Sequence, residues 1–119
     1  MNINEIKAVI QDYFDAGYDC DGAKMREVFN KAAHIFGHDE AGALRDRDLN
    51  TFIALVETPK PEYPRQDEIL SIDFTSEDTA VARVKTRVGN ILFTDVLSFI
   101  RLDGKWTIIS KLYAGAPVN

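Results

Sequence analysis

The run Ile91-Leu92-Phe93-Thr94-Asp95-Val96-Leu97-Ser98-Phe99-Ile100 constrains this chain more than any other segment. Its alternating large apolar residues fit a strand with one face in a core. Turn signals bracket it, Gly89-Asn90 before and Asp103-Gly104 after, so it pairs antiparallel with both neighbours in sequence. Asp95 lies on the same face as Phe93, Leu97 and Phe99. An unpaired charge among such residues is too costly to keep, so the carboxyl group must be paired, protonated or set against a pocket.

The rest of the chain divides around a proline loop. Residues 2–16 predict an amphipathic helix with Ile3, Ile6, Val9, Ile10, Tyr13 and Phe14 on one stripe, an asparagine at its start and Gly17 at its end. Asp19-Cys20-Asp21-Gly22 predicts a turn and a new cap, followed by a short helix over 24–31. A short strand is expected over 32–36 and another at Ala43-Leu44, within an otherwise irregular polar stretch. A third helix over about 48–57 starts at Asp46 or Asp48. Thr58-Pro59-Lys60-Pro61-Glu62-Tyr63-Pro64 excludes helix and central strand. Beyond it, strands over 68–75, 79–88, 91–102 and 105–113 predict an antiparallel meander.

Turn geometry sets which side chains share a face. A two-residue Gly89-Asn90 loop pairs Val88 with Ile91 and Val84 with Asp95. The last hairpin is open to two readings. A three-residue Leu102-Asp103-Gly104 loop places Asp95 opposite Lys111, turns Tyr113 inward, and sends Trp106, Ile108 and Leu112 outward. A two-residue Asp103-Gly104 loop reverses this. The first reading is favoured here because it gives the inward carboxylate a cation.

The 119 residues suit one domain with one core. A net charge of −5 argues against nucleic acid as a partner. No apolar run is long enough for a transmembrane helix, and the first residues lack the pattern of a secretory signal. A single cysteine, Cys20, excludes an internal disulfide and agrees with a cytoplasmic location.

Three helices, a proline loop and a four-stranded meander resemble the nuclear transport factor 2-like fold, an α+β cone of curved sheet wrapped over helices. Tyr13-Phe14-Asp15-Ala16-Gly17 resembles that superfamily's opening motif. The stretch from Phe93 through Gly104-Lys105-Trp106 to Lys111-Leu112-Tyr113 resembles a bacterial branch named for lumazine binding, and the likeness covers nearly the whole chain. The resemblance implies a pocket between helices and sheet, and a homodimer through the outer sheet face. It does not select a function, since related domains include isomerases, dehydratases, cyclases and non-enzymatic association modules.

Within that frame Asp95 is the candidate acid–base group, and a buried Asp95–Lys111 pair held only for geometry is the alternative. Lys111 and Tyr113 could hold an anionic or carbonyl group of a ligand. Tyr13 could reach the same ligand or serve as packing. Phe36, Phe52 and Phe93 are expected to supply apolar walls for a small apolar or aromatic molecule. His34 could shuttle protons or be structural. His34 and His38 with Asp39 and Glu40 lack the spacing of a metal site, and the chain has no dinucleotide, phosphate-loop or nucleophile-elbow signature, so no cofactor is expected. Cys20 lies between two acidic residues that disfavour its thiolate. Arg83, Lys85 and Arg87 form a basic outer stripe that fits a solvated face. Val96, Ile100, Trp106 and Ile108 are expected to form the outer apolar face of the homodimer. The functional readings are then a small-molecule-binding protein, a cofactor-independent enzyme using Asp95, or an assembly module without ligand.

Overall fold

Asn2 opens the first helix by accepting the Asn4 N–H at 3.0 Å. In the computed structural model, which describes residues 2–118, this helix is α1 (Ile3–Tyr18). Ile6, Ile10, Tyr13 and Phe14 form its buried stripe. The helix does not stop at Gly17. It runs on to Tyr18, and Cys20 takes the left-handed turn (φ 54°), with the Asp21 N–H closing on the Ala16 carbonyl at 2.9 Å. Asp21 then caps α2 (Gly22–Val28) by accepting the Lys24 N–H. This helix ends before residue 31 because Phe29 already pairs with a strand.

Two strands follow, both longer than their residues alone predict. They are β1 (Phe29–His38) and β2 (Leu44–Asp48). Asp48 closes β2 and caps α3 (Leu49–Glu57), accepting the Thr51 N–H at 2.8 Å. The proline segment crosses to the sheet without regular structure. Arg65, ion-paired with Asp15 and Asp67, ties it to α1. The meander comprises β3 (Asp67–Ser76), β4 (Thr79–Val88), β5 (Ile91–Leu102) and β6 (Lys105–Pro117).

All six strands form one sheet in the order β2-β1-β6-β5-β4-β3. Every pairing is antiparallel except β1 with β6. That parallel seam was not visible in the sequence, because it joins segments remote in the chain. The three helices cover one face of the sheet, and the core lies between them. No helix among the described residues is long and apolar enough to cross a membrane.

The β4–β5 register is the expected one, with Val84 opposite Asp95. The β5–β6 register corrects the favoured reading. Leu102 pairs with Lys105, so the loop is the two-residue Asp103-Gly104 turn. Near that turn Ile108 pairs with Phe99 and Trp106 with Arg101, which points both inward. A bulge between Ser98 and Phe99 then absorbs Ile109 and reverses the faces again. Beyond it Lys111 pairs with Leu97, and Asp95 faces Tyr113 rather than Lys111. Lys111 and Tyr113 are thus inward, as expected, through a different register.

Trp106 and Ile108 therefore do not belong to an outer face. Trp106 is 5% exposed, packs on Phe74 and donates its indole N–H to Glu5 of α1 at 3.1 Å. Ile108 is fully buried. Trp106→Ala should lower unfolding free energy by about 3–5 kcal/mol. Urea denaturation at several protein concentrations checks this. A loss independent of concentration fits an intramolecular plug, whereas one that vanishes at low concentration would return Trp106 to an interface.

Candidate functional site

Asp95 has no solvent exposure. Leu97 and Val84 flank it on the sheet, and α1 lies over it. Its Oδ2 accepts the Tyr13 hydroxyl at 2.6 Å, and Lys111 Nζ stands 3.9 Å from the same oxygen. Its Oδ1 is buried without a hydrogen-bond partner. Burial holds the Tyr13 phenol well above its ordinary pKa, and the Asp95 carboxylate adds to the effect. Tyr13 therefore keeps its proton and serves as a fixed hydrogen-bond donor.

Lys111 is buried beneath aromatic rings. Its Nζ lies 4.6 Å from the centre of Phe52, 5.2 Å from Tyr13 and 5.8 Å from Tyr113. These faces stabilise a cation in part. Burial nevertheless pulls the lysine pKa below its usual value. The Asp95 charge opposes the drop, and Arg47 adds to it.

Above Lys111 opens a cavity of about 620 Å³ between α3 and the strands. Ile35, Phe52, Val56 and Phe93 give it apolar walls, and Lys111 and Tyr113 reach into it. Arg45 and Arg47 stand on its β2 side, with Asp39, Glu40 and Lys60 also contributing. Neither Arg45 nor Arg47 has an acidic partner at ion-pair distance among the described residues. Arg47 Nη1 donates to the Tyr113 hydroxyl at 2.9 Å. That hydroxyl keeps its own proton free for another acceptor. The Tyr113 ring lies across Gly37, where any Cβ would overlap it.

The expected site residues thus separate into three places. Phe52, Phe93, Lys111 and Tyr113 line the cavity. Asp95 and Tyr13 touch Lys111 from behind and do not line it. His34 and Phe36 lie on the opposite face of β1, because Ala33, Ile35 and Gly37 take the inward positions. There His34 binds Asp46 and stacks on Phe36, with 47% of its side chain exposed. His34 is thus too far round the strand to shuttle protons into the cavity, and Phe36 forms no part of its wall. Arg45 and Arg47 were missed. The alternation Arg45-Asp46-Arg47-Asp48 was the available signal, since a strand period puts both arginines on one face. Among the described residues no group of three or more His, Cys, Asp or Glu side chains is placed to hold a metal.

The curved sheet, its helical cover and the cavity between them define a nuclear transport factor 2-like protein. A nuclear transport factor 2-like protein of unknown function from Shewanella baltica is 30% identical, with 97% of this chain and 94% of that one aligned at a TM-score of 0.87. A second, from Silicibacter pomeroyi, is 27% identical over 96% and 95% of the two chains, with a TM-score of 0.86. A third, from Methylobacillus flagellatus, is 29% identical over 96% and 91%, with a TM-score of 0.84. No functionally curated protein matches the sequence. The family model described as "Putative lumazine-binding" matches residues 1–114, and the chain belongs to that family.

Two substitutions check the buried cluster. Tyr13→Phe removes the hydrogen bond to Asp95 Oδ2 and should cost about 1–3 kcal/mol of stability. Asp95→Ala leaves Lys111 buried beside no counter-charge and should cost about 3–5 kcal/mol. Equilibrium denaturation of both variants is the measurement, and a midpoint unchanged from wild type in Asp95→Ala would contradict the pairing.

Proposed function

We propose that this protein binds a small, flat, apolar or aromatic molecule with oxygen acceptors at one end. The observation that carries the reading is the composition of the cavity floor. Lys111, the Tyr113 hydroxyl and the Arg47 guanidinium converge beside the apolar side chains of Ile35, Phe52, Val56 and Phe93. Such a cup suits a ligand whose body is desolvated against Phe52 and Phe93 while its oxygens meet fixed donors. Arg45, Arg47, Lys60 and Lys111 outnumber the acidic Asp39 and Glu40 in the lining, so carboxylates and ring carbonyls are favoured over cations. Lumazine, a flat bicyclic dione, is the probe that the family's name suggests.

Fluorescence titration with lumazine and with 2-naphthoate tests this reading. Wild-type protein should bind at least one of them saturably. Arg47→Ala should weaken binding on the order of tenfold or more, the usual loss for a charge-assisted hydrogen bond. Absence of saturable binding to either probe, or unchanged affinity in Arg47→Ala, would oppose it.

A catalytic reading with Asp95 as acid–base group draws support from its contact with Tyr13 and its unpartnered Oδ1. Asp95 does not line the cavity, however, so proton exchange with a ligand has to pass through Lys111.

The same reading includes a homodimer. Val96, Leu112 and Phe36 form one continuous row across the outer sheet face, and Ile100 lies on that face as well. Leu112 is 54% exposed, an apolar surface that a second copy would cover. Leu112→Glu should shift sedimentation from dimer to monomer, and an unaltered dimer would exclude this face.

A further inference from the structure

The Lys111 side chain differs from every other lysine in the chain. Lys24 faces Asp12 and Asp15, and Lys60 donates to the Leu55 and Thr58 carbonyls. Lys7, Lys31 and Lys105 are exposed to water, and Lys85 is half-exposed on the outer sheet face opposite Thr94. Lys111 is buried, yet its Nζ has no hydrogen-bond acceptor among the described residues. Asp95 Oδ2, at 3.9 Å, is beyond hydrogen-bond reach and already accepts from Tyr13. An ammonium carries three N–H donors, and burying them unmet is costly, whereas a neutral amine gives up much less. The rings of Phe52, Tyr13 and Tyr113 flank the nitrogen and leave one approach to it, through the cavity, by which a small molecule can reach it.

We propose that Lys111 is a nucleophilic amine that condenses reversibly with an aldehyde or ketone seated in the cavity. The inference rests on the cavity being a small-molecule site, as proposed above, and adds the class of ligand that it engages covalently. The nitrogen lone pair attacks the carbonyl carbon, forming a C–N bond as the C=O π pair moves to oxygen. The nitrogen then loses a proton and the oxygen gains one, giving a carbinolamine. The hydroxyl takes a proton from an acid and leaves as water while the nitrogen lone pair forms the C=N bond, and the resulting iminium gives its N–H proton back to the base, leaving the imine. The sum is amine plus carbonyl giving imine plus water, with no change of oxidation state and no further reactant.

Two neighbours are placed to move the protons. The Asp95 carboxylate is the base nearest Nζ, and its Oδ1 is free. The Tyr113 hydroxyl faces the cavity and is polarised by Arg47 at 2.9 Å, which suits it to donate to the carbonyl oxygen. The lowered pKa of Lys111, caused first by burial, increases the share of free amine available for attack.

The test uses the full chain, 2-naphthaldehyde and sodium cyanoborohydride at neutral pH, with peptide mapping by mass spectrometry. The expected result is labelling of Lys111 ahead of every exposed lysine, since its lowered pKa leaves more free amine at neutral pH. An excess of 2-naphthoate, which has the same body but cannot form an imine, should slow labelling at Lys111 alone. Lys111→Met should lose the fast adduct, and mapping of wild-type protein stands even if that variant does not fold. Labelling confined to exposed lysines, in protein that still binds 2-naphthoate, would overturn the amine proposal and leave the binding reading standing. Labelling confined to exposed lysines together with no binding of 2-naphthoate would overturn both.

Discussion

A single phenol–carboxylate hydrogen bond joins the helical layer to the sheet within the buried core. Tyr13 comes from α1 and Asp95 from β5, and the contact between them is 2.6 Å. A carboxylate without solvent needs donors that never leave, and a phenol held protonated by the same burial meets that need. The contact also fixes the floor on which Lys111 stands. Any shift of α1 relative to β5 would strand one of these groups. The fold therefore keeps its layers in one alignment through polar chemistry, within a core that is otherwise apolar.

Much of this architecture was legible in the residues. Alternation in β4 and β5 and the Gly89-Asn90 turn set one hairpin correctly, and apolar stripes located all three helices. The inward aspect of Asp95 followed from its neighbours Phe93, Leu97 and Phe99. What could not be read was long-range or compensatory. The parallel pairing of β1 with β6 leaves no local mark, so β1 looked shorter than it is. At the β5–β6 hairpin, a two-residue turn and the bulge at Ile109 act in opposite senses. Their effects cancel for Lys111 and Tyr113 but not for Trp106 and Ile108. A bulge has no fixed composition, so in an unbroken register only the three-residue loop turned Lys111 toward the Asp95 face, and that loop placed Trp106 and Ile108 on the wrong side.

The lining of the cavity was legible to a similar extent. Lys111, Tyr113, Phe52 and Phe93 line the cavity, because inward positions near a curved sheet's open end tend to face whatever the helices leave uncovered. The arginines of β2 escaped notice because that segment looks like a polar loop until its period of two is considered. His34 misled for the opposite reason. A titratable side chain invites a chemical role, although one residue of strand phase decides whether it meets the cavity or water.

Gly37 makes room for the Tyr113 ring and so governs the depth of the cup. A side chain at that position would push the phenol toward the centre and shrink the chamber from beneath. The change would leave Lys111, Arg47 and the apolar walls untouched in identity. Chains of this architecture can therefore alter the size of guest they admit through one backbone position that carries no recognising group of its own.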